Sequence, residues 1–108
     1  MSSAEHLFDT AVGLFRQGQI DPSLHFLKQT LNANPRHAEA HYLLGSLLLR
    51  KEQYPEALSN LLQATRLEKK RYEYFNNLGN AYFCLDQLAE AKKAFQQAIR
   101  LNPQAAEP

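Results

Sequence analysis

Apolar residues recur along this chain at the three- and four-residue spacing of an amphipathic helix, and no segment alternates at the two-residue spacing of a strand. In the stretch NNLGNAYF, for example, Leu78, Ala81 and Tyr82 share one face of a helix. The spacing predicts six helices, over residues 4–17, 21–33, 38–51, 55–68, 72–85 and 88–101. The sequence therefore predicts an all-α fold.

The six predicted helices fall into three copies of one 34-residue unit. Residues 38–71 and 72–105 are identical at ten of their 34 aligned positions, and residues 4–37 match residues 38–71 at eight. Two helices per unit is the pattern of a solenoid built from stacked helix-turn-helix repeats. We therefore predict a single domain over residues 1–108, with repeats at 4–37, 38–71 and 72–105.

Glycine and proline mark the ends of the predicted helices. Gly18 follows the first helix, and Pro55 falls in the first turn of the fourth, where an N–H would lack a partner anyway. Asp21 and Pro22 predict an N-cap followed by a first-turn proline for the second helix. Pro35 ends the first unit, because the residue before a proline is disfavoured in the helical conformation.

The repeat length and the residues at fixed positions resemble the tetratricopeptide repeat family. That family has a large residue at position 4 of each unit, Leu at 7, a small residue at 8, an aromatic residue or Leu at 11 and 24, Ala at 20 and 27, and Pro at 32. The third unit matches throughout, with Phe75, Leu78, Gly79, Tyr82, Ala91, Phe95, Ala98 and Pro103. The second unit has Lys69 in place of the proline, and the first has polar Thr10, Ser23 and Thr30. The resemblance implies a right-handed helical solenoid that acts as a protein–protein interaction module.

Gly79 stands inside a predicted helix, where glycine costs about 1 kcal/mol relative to alanine. Gly45 lies 34 residues earlier in the same setting. In the resembled family this small residue lies where the two helices of a unit cross. The resemblance therefore implies that Gly45 faces Ala57 and that Gly79 faces Ala91.

The first helices of the units carry more apolar surface than one packing stripe requires. In the resembled family these helices line a concave groove, and positions 2, 5, 6, 9, 12 and 13 contact a bound peptide. The corresponding residues here are Glu5, Phe8, Asp9, Val12, Phe15 and Arg16 in the first unit, Glu39, Tyr42, Leu43, Ser46, Leu49 and Arg50 in the second, and Glu73, Asn76, Asn77, Asn80, Phe83 and Cys84 in the third. Phe15, Leu49 and Phe83 are equally compatible with packing inside the solenoid.

A clamp for the C-terminal carboxylate of chaperone tails is not expected. Family members with such a clamp use lysine, arginine and asparagine at five groove positions. Those five positions hold Phe8, Val12, Leu43, Glu73 and Asn77 in this chain. Because the cationic chemistry is missing, we expect a different segment, with apolar anchors and an acidic group for Arg16 and Arg50.

Little in the sequence points to catalysis or to a metal. There is no glycine-rich phosphate loop and no nucleophile elbow. His37 and His41 have the spacing of two zinc ligands on a helix, but a turn position and a core position favour packing instead. Cys84 has no predicted basic neighbour, which favours an inert thiol, and the basic run at 69–71 is flanked by glutamates. We predict a protein without enzyme activity, cofactor or metal.

Composition narrows the partners and the compartment. The net charge is +1 with both signs interspersed, so neither nucleic acid nor a membrane surface is an expected partner. The start MSSAEHLFDT lacks the basic and apolar segments of a secretory signal. Cys84 is the single cysteine, which is compatible with a reducing compartment. We expect a cytoplasmic protein.

The last predicted helix carries Phe95, Ile99 and Leu101 on faces that a following helix would bury in a solenoid. The short NPQAAEP segment is not expected to cover them, so we predict either a fragment of a longer chain or a homodimer through this edge. The main functional hypothesis is a scaffold or adaptor. The alternative is the N-terminal regulatory or substrate-docking segment of a larger transferase-type enzyme.

Overall fold

The computed structural model describes residues 3–106, and helices account for most of them. They are α1 (Ser3–Arg16), α2 (Ile20–Ala33), α3 (Ala38–Arg50), α4 (Tyr54–Leu67), α5 (Tyr72–Cys84) and α6 (Leu88–Leu101), followed by one 3₁₀ turn at Pro103–Ala106. No strand occurs within residues 3–106. The predicted all-α fold is confirmed, and each helix begins and ends within one residue of its predicted boundary.

The helices pack as three successive pairs, α1 with α2, α3 with α4 and α5 with α6. Neighbouring pairs meet through α2 with α3 and through α4 with α5, and α3 also contacts α5. Each pair therefore contacts the next pair along the chain, which is the arrangement of a helical solenoid. The first helix of one pair covers the pair before it.

The turn between the two helices of each unit has the same backbone conformation in all three repeats. One residue has a positive φ, and the N–H of the following residue donates to a carbonyl oxygen five residues earlier. The positive-φ residues are Gly18 (78°), Glu52 (60°) and Asp86 (62°), and the donors are Gln19, Gln53 and Gln87, each at 2.9 Å. This hydrogen bond closes the C-terminus of the first helix in the manner of a Schellman motif.

The predicted N-cap of α2 is wrong. The helix begins at Ile20 with Gln19 at the N-cap, so Asp21 and Pro22 lie in the first turn. The reason is the preceding turn, which passes through Gly18 and leaves only residues 17–19 between α1 and α2. Pro22 is tolerated there because a first-turn N–H has no partner in the helix. Asp21 instead pairs with Lys51 in the turn of the second unit.

Two clusters of buried apolar side chains hold the units together. The first cluster joins the first and second units and contains Ala11, Leu24, Leu27, Ala40, Leu44, Leu47, Leu48 and Ala57. The second cluster joins the second and third units and contains Leu61, Leu78, Ala81 and Ala94. Leu49 packs against both clusters. Each fully buried leucine contributes about 1.5–3 kcal/mol, so the two clusters stabilise the contacts between units as well as those within them.

Gly45 and Gly79 lie at a close approach of the two helices of a unit, but their nearest neighbours differ from the prediction. A Cβ on Gly45 would lie 2.6 Å from Leu61 Cγ, and a Cβ on Gly79 would lie 2.6 Å from Phe95 Cε1. The predicted neighbours were Ala57 and Ala91, of which only the Ala57 carbonyl oxygen is among the nearest atoms, at 3.2 Å. The large side chain one turn after the alanine reaches back over the glycine, as helical side chains lean toward the N-terminus.

Candidate functional site

The first helices of the three units, α1, α3 and α5, are linked side by side by contacts between their side chains. The guanidinium of Arg50 on α3 lies 5.4 Å from the centre of the Phe15 ring on α1. The ring of Tyr42 on α3 stacks on that of Tyr74 on α5, with ring centres 4.5 Å apart. These three helices therefore form one continuous surface, which we call the first-helix face.

A chain of polar side chains crosses the first-helix face from α3 to α5. Asn77 Nδ2 donates to Ser46 Oγ at 2.8 Å, and Ser46 Oγ donates to the Tyr42 carbonyl oxygen at 2.8 Å. Asn80 Nδ2 donates to Asn77 Oδ1 at 3.4 Å, and both Asn76 and Asn80 are exposed. Side-chain amides both donate and accept, so this part of the face can bind the backbone of an extended segment.

Charged residues of opposite sign occupy the two ends of the first helices. Position 2 of every unit is a glutamate, and position 13 of the first two units is an arginine: Glu5, Glu39 and Glu73, and Arg16 and Arg50. Eleven residues of α-helix separate the two rows by about 16 Å. The face therefore has an acidic edge and a basic edge. Both rows are visible in the aligned repeats, because each occupies one fixed position of the 34-residue unit.

Several of the residues predicted to line the groove take part in packing. Phe8, Phe15, Leu43 and Leu49 are partly buried against the first cluster, and Tyr42 is partly buried against the second. Burial raises the pKa of the Tyr42 hydroxyl. Phe15 and Leu49, which the sequence left open between core and groove, contribute to the contacts between units.

The remaining predicted residues keep different degrees of exposure. Val12, Ser46, Glu73 and Asn77 are partly buried. The exposed ones are Glu5, Asp9, Arg16, Glu39, Arg50, Asn76, Asn80, Phe83 and Cys84. The accessible part of the first-helix face therefore includes Asp9, two asparagines and every member of the charged rows except Glu73, which is partly buried.

His37 and His41 have structural partners. His37 Nδ1 accepts the N–H of Ala40 at 3.1 Å, which makes His37 the N-cap of α3, and its Nε2 lies 3.1 Å from Glu5 Oε1. Both ring nitrogens of His41 lie within 3.0 Å of protein oxygens. Within the described part of the chain, no group of three or more His, Cys, Asp or Glu side chains is gathered as a metal site would require. None of the helices described there is long and apolar enough to cross a membrane.

An apolar cleft lies in the third unit, between α5 and α6. Its lining residues are Phe83, Leu88, Ala91, Lys92, Phe95, Gln96 and Ile99. Phe83 is 63% exposed, Leu88 54% and Ile99 46%. Two of the three residues predicted for a self-association edge, Phe95 and Ile99, line this cleft. Leu101 does not, because residues two apart on a helix point to different faces. Phe83, predicted for the groove, lies in the cleft.

Two known protein families each match a part of the chain. Residues 72–105 match the family described as "Tetratricopeptide repeat", and residues 1–64 match the family described as "Anaphase-promoting complex, cyclosome, subunit 3". The general transcriptional corepressor trfA of Dictyostelium discoideum is 32% identical over 91 residues, which are 84% of this chain and 6% of that protein. The type IV pilus assembly protein PilF of Pseudomonas aeruginosa is 29% identical over 96 residues, which are 85% of this chain and 38% of that protein. The chain thus spans a small part of the first relative and well under half of the second.

Solved structures share the fold over nearly the whole chain. The first TPR of Spaghetti (RPAP3), bound to the HSP90 peptide SRMEEVD, superposes with a TM-score of 0.86 at 25% identity, over 93% of this chain and 79% of that one. MamA from Desulfovibrio magneticus RS-1 superposes with a TM-score of 0.87 at 27% identity, over 94% of this chain and 58% of that one.

Proposed function

Because this chain belongs to the tetratricopeptide repeat family, we propose that it is a scaffold or adaptor module that binds a protein segment on its first-helix face. The observation that carries this proposal is the pairing of an acidic and a basic row across a surface with exposed amides. The side-chain amides of such a surface can form hydrogen bonds with the backbone of a bound segment, and the two charged rows favour one orientation of that segment. The similar domain of Spaghetti holds a peptide, which supports a peptide as the class of ligand.

The charged rows define the chemistry of the bound segment. A segment that crosses α1, α3 and α5 has one side toward Glu39 and Glu73 and the other toward Arg16 and Arg50. We propose a segment with basic residues on one side and an acidic residue on the other, anchored by an apolar side chain near Val12. Complementary charge at an exposed rim favours specificity and association rate more than affinity.

The proposed ligand is not an acidic C-terminal tail of the chaperone type. The five positions of the chaperone-tail clamp hold Phe8, Val12, Leu43, Glu73 and Asn77, none of which is cationic. Phe8 and Leu43 are moreover partly buried against the first cluster. A terminal carboxylate would therefore meet apolar and acidic side chains in place of the ammonium groups that it needs.

Further features of the function stay proposals. We place the protein in the cytoplasm, because the free and exposed Cys84 suits a reducing compartment. The partner is a protein and not a nucleic acid, because the basic row is matched by an acidic one. A regulatory or substrate-docking role within a larger transferase-type enzyme, and self-association through Phe95, Ile99 and Leu101, remain predictions.

The test begins with peptides selected against the chain from a random display library. The affinity of a selected peptide is then measured by calorimetry for the natural chain, for Arg50→Glu and for Arg66→Glu. Arg66 is an exposed arginine on α4, outside the first-helix face, and serves as the matched control. We expect Arg50→Glu to weaken binding about tenfold, which corresponds to about 1.4 kcal/mol, and Arg66→Glu to leave it within twofold. Equal losses in both variants would exclude the first-helix face as the site.

A further inference from the structure

The cleft between α5 and α6 is the third copy of a surface that the chain buries twice. Four positions of each unit build this surface, namely 12, 17, 24 and 28. They hold Phe15, Ile20, Leu27 and Leu31 in the first unit, Leu49, Tyr54, Leu61 and Thr65 in the second, and Phe83, Leu88, Phe95 and Ile99 in the third. Eleven of the twelve are apolar or aromatic, so the surface is kept apolar in the third unit as well.

The first two copies of the surface are covered by the first helix of the next unit. Leu27 is 0% exposed in the cluster that α3 completes, and Leu61 is 0% exposed in the cluster that α5 completes. In the third copy, by contrast, Phe83, Leu88 and Ile99 are about half or more exposed. The third surface therefore has the shape and chemistry of a helix-binding site that no helix among the described residues fills.

The two covering helices show what such a site binds. Both bury a side chain at position 3 and another at position 10, which are Ala40 and Leu47 in α3 and Tyr74 and Ala81 in α5. Residues seven apart lie on one face of a helix, two turns from each other. The equivalent positions of α1 hold His6, which is exposed, and Gly13. The outer face of α1 therefore lacks the apolar pair, which disfavours a second copy stacking head to tail.

The rim of the third surface differs from that of the second. Lys92 and Gln96 line the open cleft, where the second unit has Leu58 and Leu62. Both leucines are partly buried against the second cluster. A polar rim around an apolar centre is the anatomy of an interface between proteins that also exist apart.

We propose that the cleft between α5 and α6 binds an amphipathic helix of a partner protein, in the way that α5 packs on α3 and α4. The partner's helix presents two apolar residues seven positions apart toward Phe83, Leu88 and Ile99. This surface is separate from the first-helix face, so one module can hold two protein segments.

The test uses the chain's own covering helix as a stand-in for the partner's helix. A copy of the α5 sequence, with Cys84→Ser, is appended after Ala105, which reproduces the four-residue connection between Leu67 and Tyr72. The control carries Tyr74→Glu and Ala81→Glu in the appended copy alone. We expect the first fusion to melt about 5 °C or more above the control, because packing of the added helix stabilises the folded chain. Adding Ile99→Glu should remove that difference.

Two results would overturn the proposal. Equal melting temperatures of the two fusions would show that the cleft does not accept such a helix. A concentration-dependent dimer of the unmodified chain in sedimentation, dispersed by Ile99→Glu, would show that a second copy is the occupant. A monomeric unmodified chain, together with the difference between the fusions, supports the proposal.

Discussion

The ring of Phe95 lies directly over Gly79, so close that a Cβ on residue 79 would stand 2.6 Å from Cε1 of the ring. This contact explains a glycine in the interior of α5, where it lowers helix stability by about 1 kcal/mol. The aromatic ring occupies the space that a larger residue would need.

We predict that Gly79→Ala destabilises the protein by up to about 2 kcal/mol, because displacement of the Phe95 ring costs about 1–3 kcal/mol and the gain in helix propensity is about 1 kcal/mol. Gly13→Ala is the matched control, since a Cβ there meets nothing within 4 Å. That change should stabilise the protein by about 0.5–1 kcal/mol. Urea unfolding measures both, and stabilisation of equal size in the two variants would refute the contact.

The turns give a second prediction. Glu52 and Asp86 adopt the positive φ that Gly18 adopts in the first unit. This conformation costs a non-glycine residue about 1–2 kcal/mol. Glycine avoids that cost, but it loses more conformational entropy on folding, which cancels part of the advantage. Glu52→Gly should therefore stabilise the protein by about 0.5–1 kcal/mol, and Asp86→Gly by less, because aspartate tolerates the conformation better. Thermal unfolding of both variants is the measurement, and a loss of stability in Glu52→Gly would contradict it.

The sequence predicted the helices and the repeats closely because both depend on local patterns that recur every 34 residues. The sequence predicted the turn at Gly18 but not the positive φ of Glu52 and Asp86. Neither residue type favours a positive φ as glycine does, and the hydrogen bond repeated in every turn imposes that conformation.

The site was harder to predict than the fold. Position 12 illustrates the reason, because the same place on the helix is covered at Phe15 and Leu49 and exposed at Phe83. What covers the side chain depends on the next unit and not on the residue itself. Gly79 likewise contacts Phe95 and not the predicted Ala91, because the Phe95 side chain, one turn after Ala91, points back toward the N-terminus of α6.

A third prediction concerns the start of α3. His37 Nδ1 accepts the N–H of Ala40, which would otherwise have no partner in the first turn. His37→Ala should destabilise the protein by about 1 kcal/mol more than His37→Asn, because asparagine keeps a capping acceptor. Both variants lose the contact of the His37 ring with Phe8, so the difference between them isolates the cap. Equal stabilities in urea unfolding would show that the cap contributes nothing.

A fourth prediction concerns alkaline pH. Burial raises the pKa of Tyr74 to about 12, although the positive charge of Arg71 acts in the opposite direction. The unfolded side chain ionises near pH 10, so between pH 10 and 12 the folded state retains a proton that the unfolded state loses. The stabilising contribution is therefore complete below pH 10 and is lost as the pH rises toward 12. Urea unfolding across this range should show a steeper decline for the natural chain than for Tyr74→Phe, and parallel declines would contradict it.

The chaperone-tail peptide gives a fifth prediction. The peptide SRMEEVD should bind this chain no tighter than about 1 mM in calorimetry, because the clamp positions hold no cation for its terminal carboxylate. Micromolar binding that weakens as salt is added would instead indicate a cationic clamp on other residues.

Hydrogen exchange tests the binding face most directly. Amide exchange is followed along the chain with and without a library-selected peptide at saturating concentration. We expect the peptide to slow exchange mainly in α1, α3 and α5, with the largest effects beside the two charged rows. Slower exchange confined to the ends of α5 and α6 around Phe83 and Ile99, with no change in α1 and α3, would contradict binding on the first-helix face.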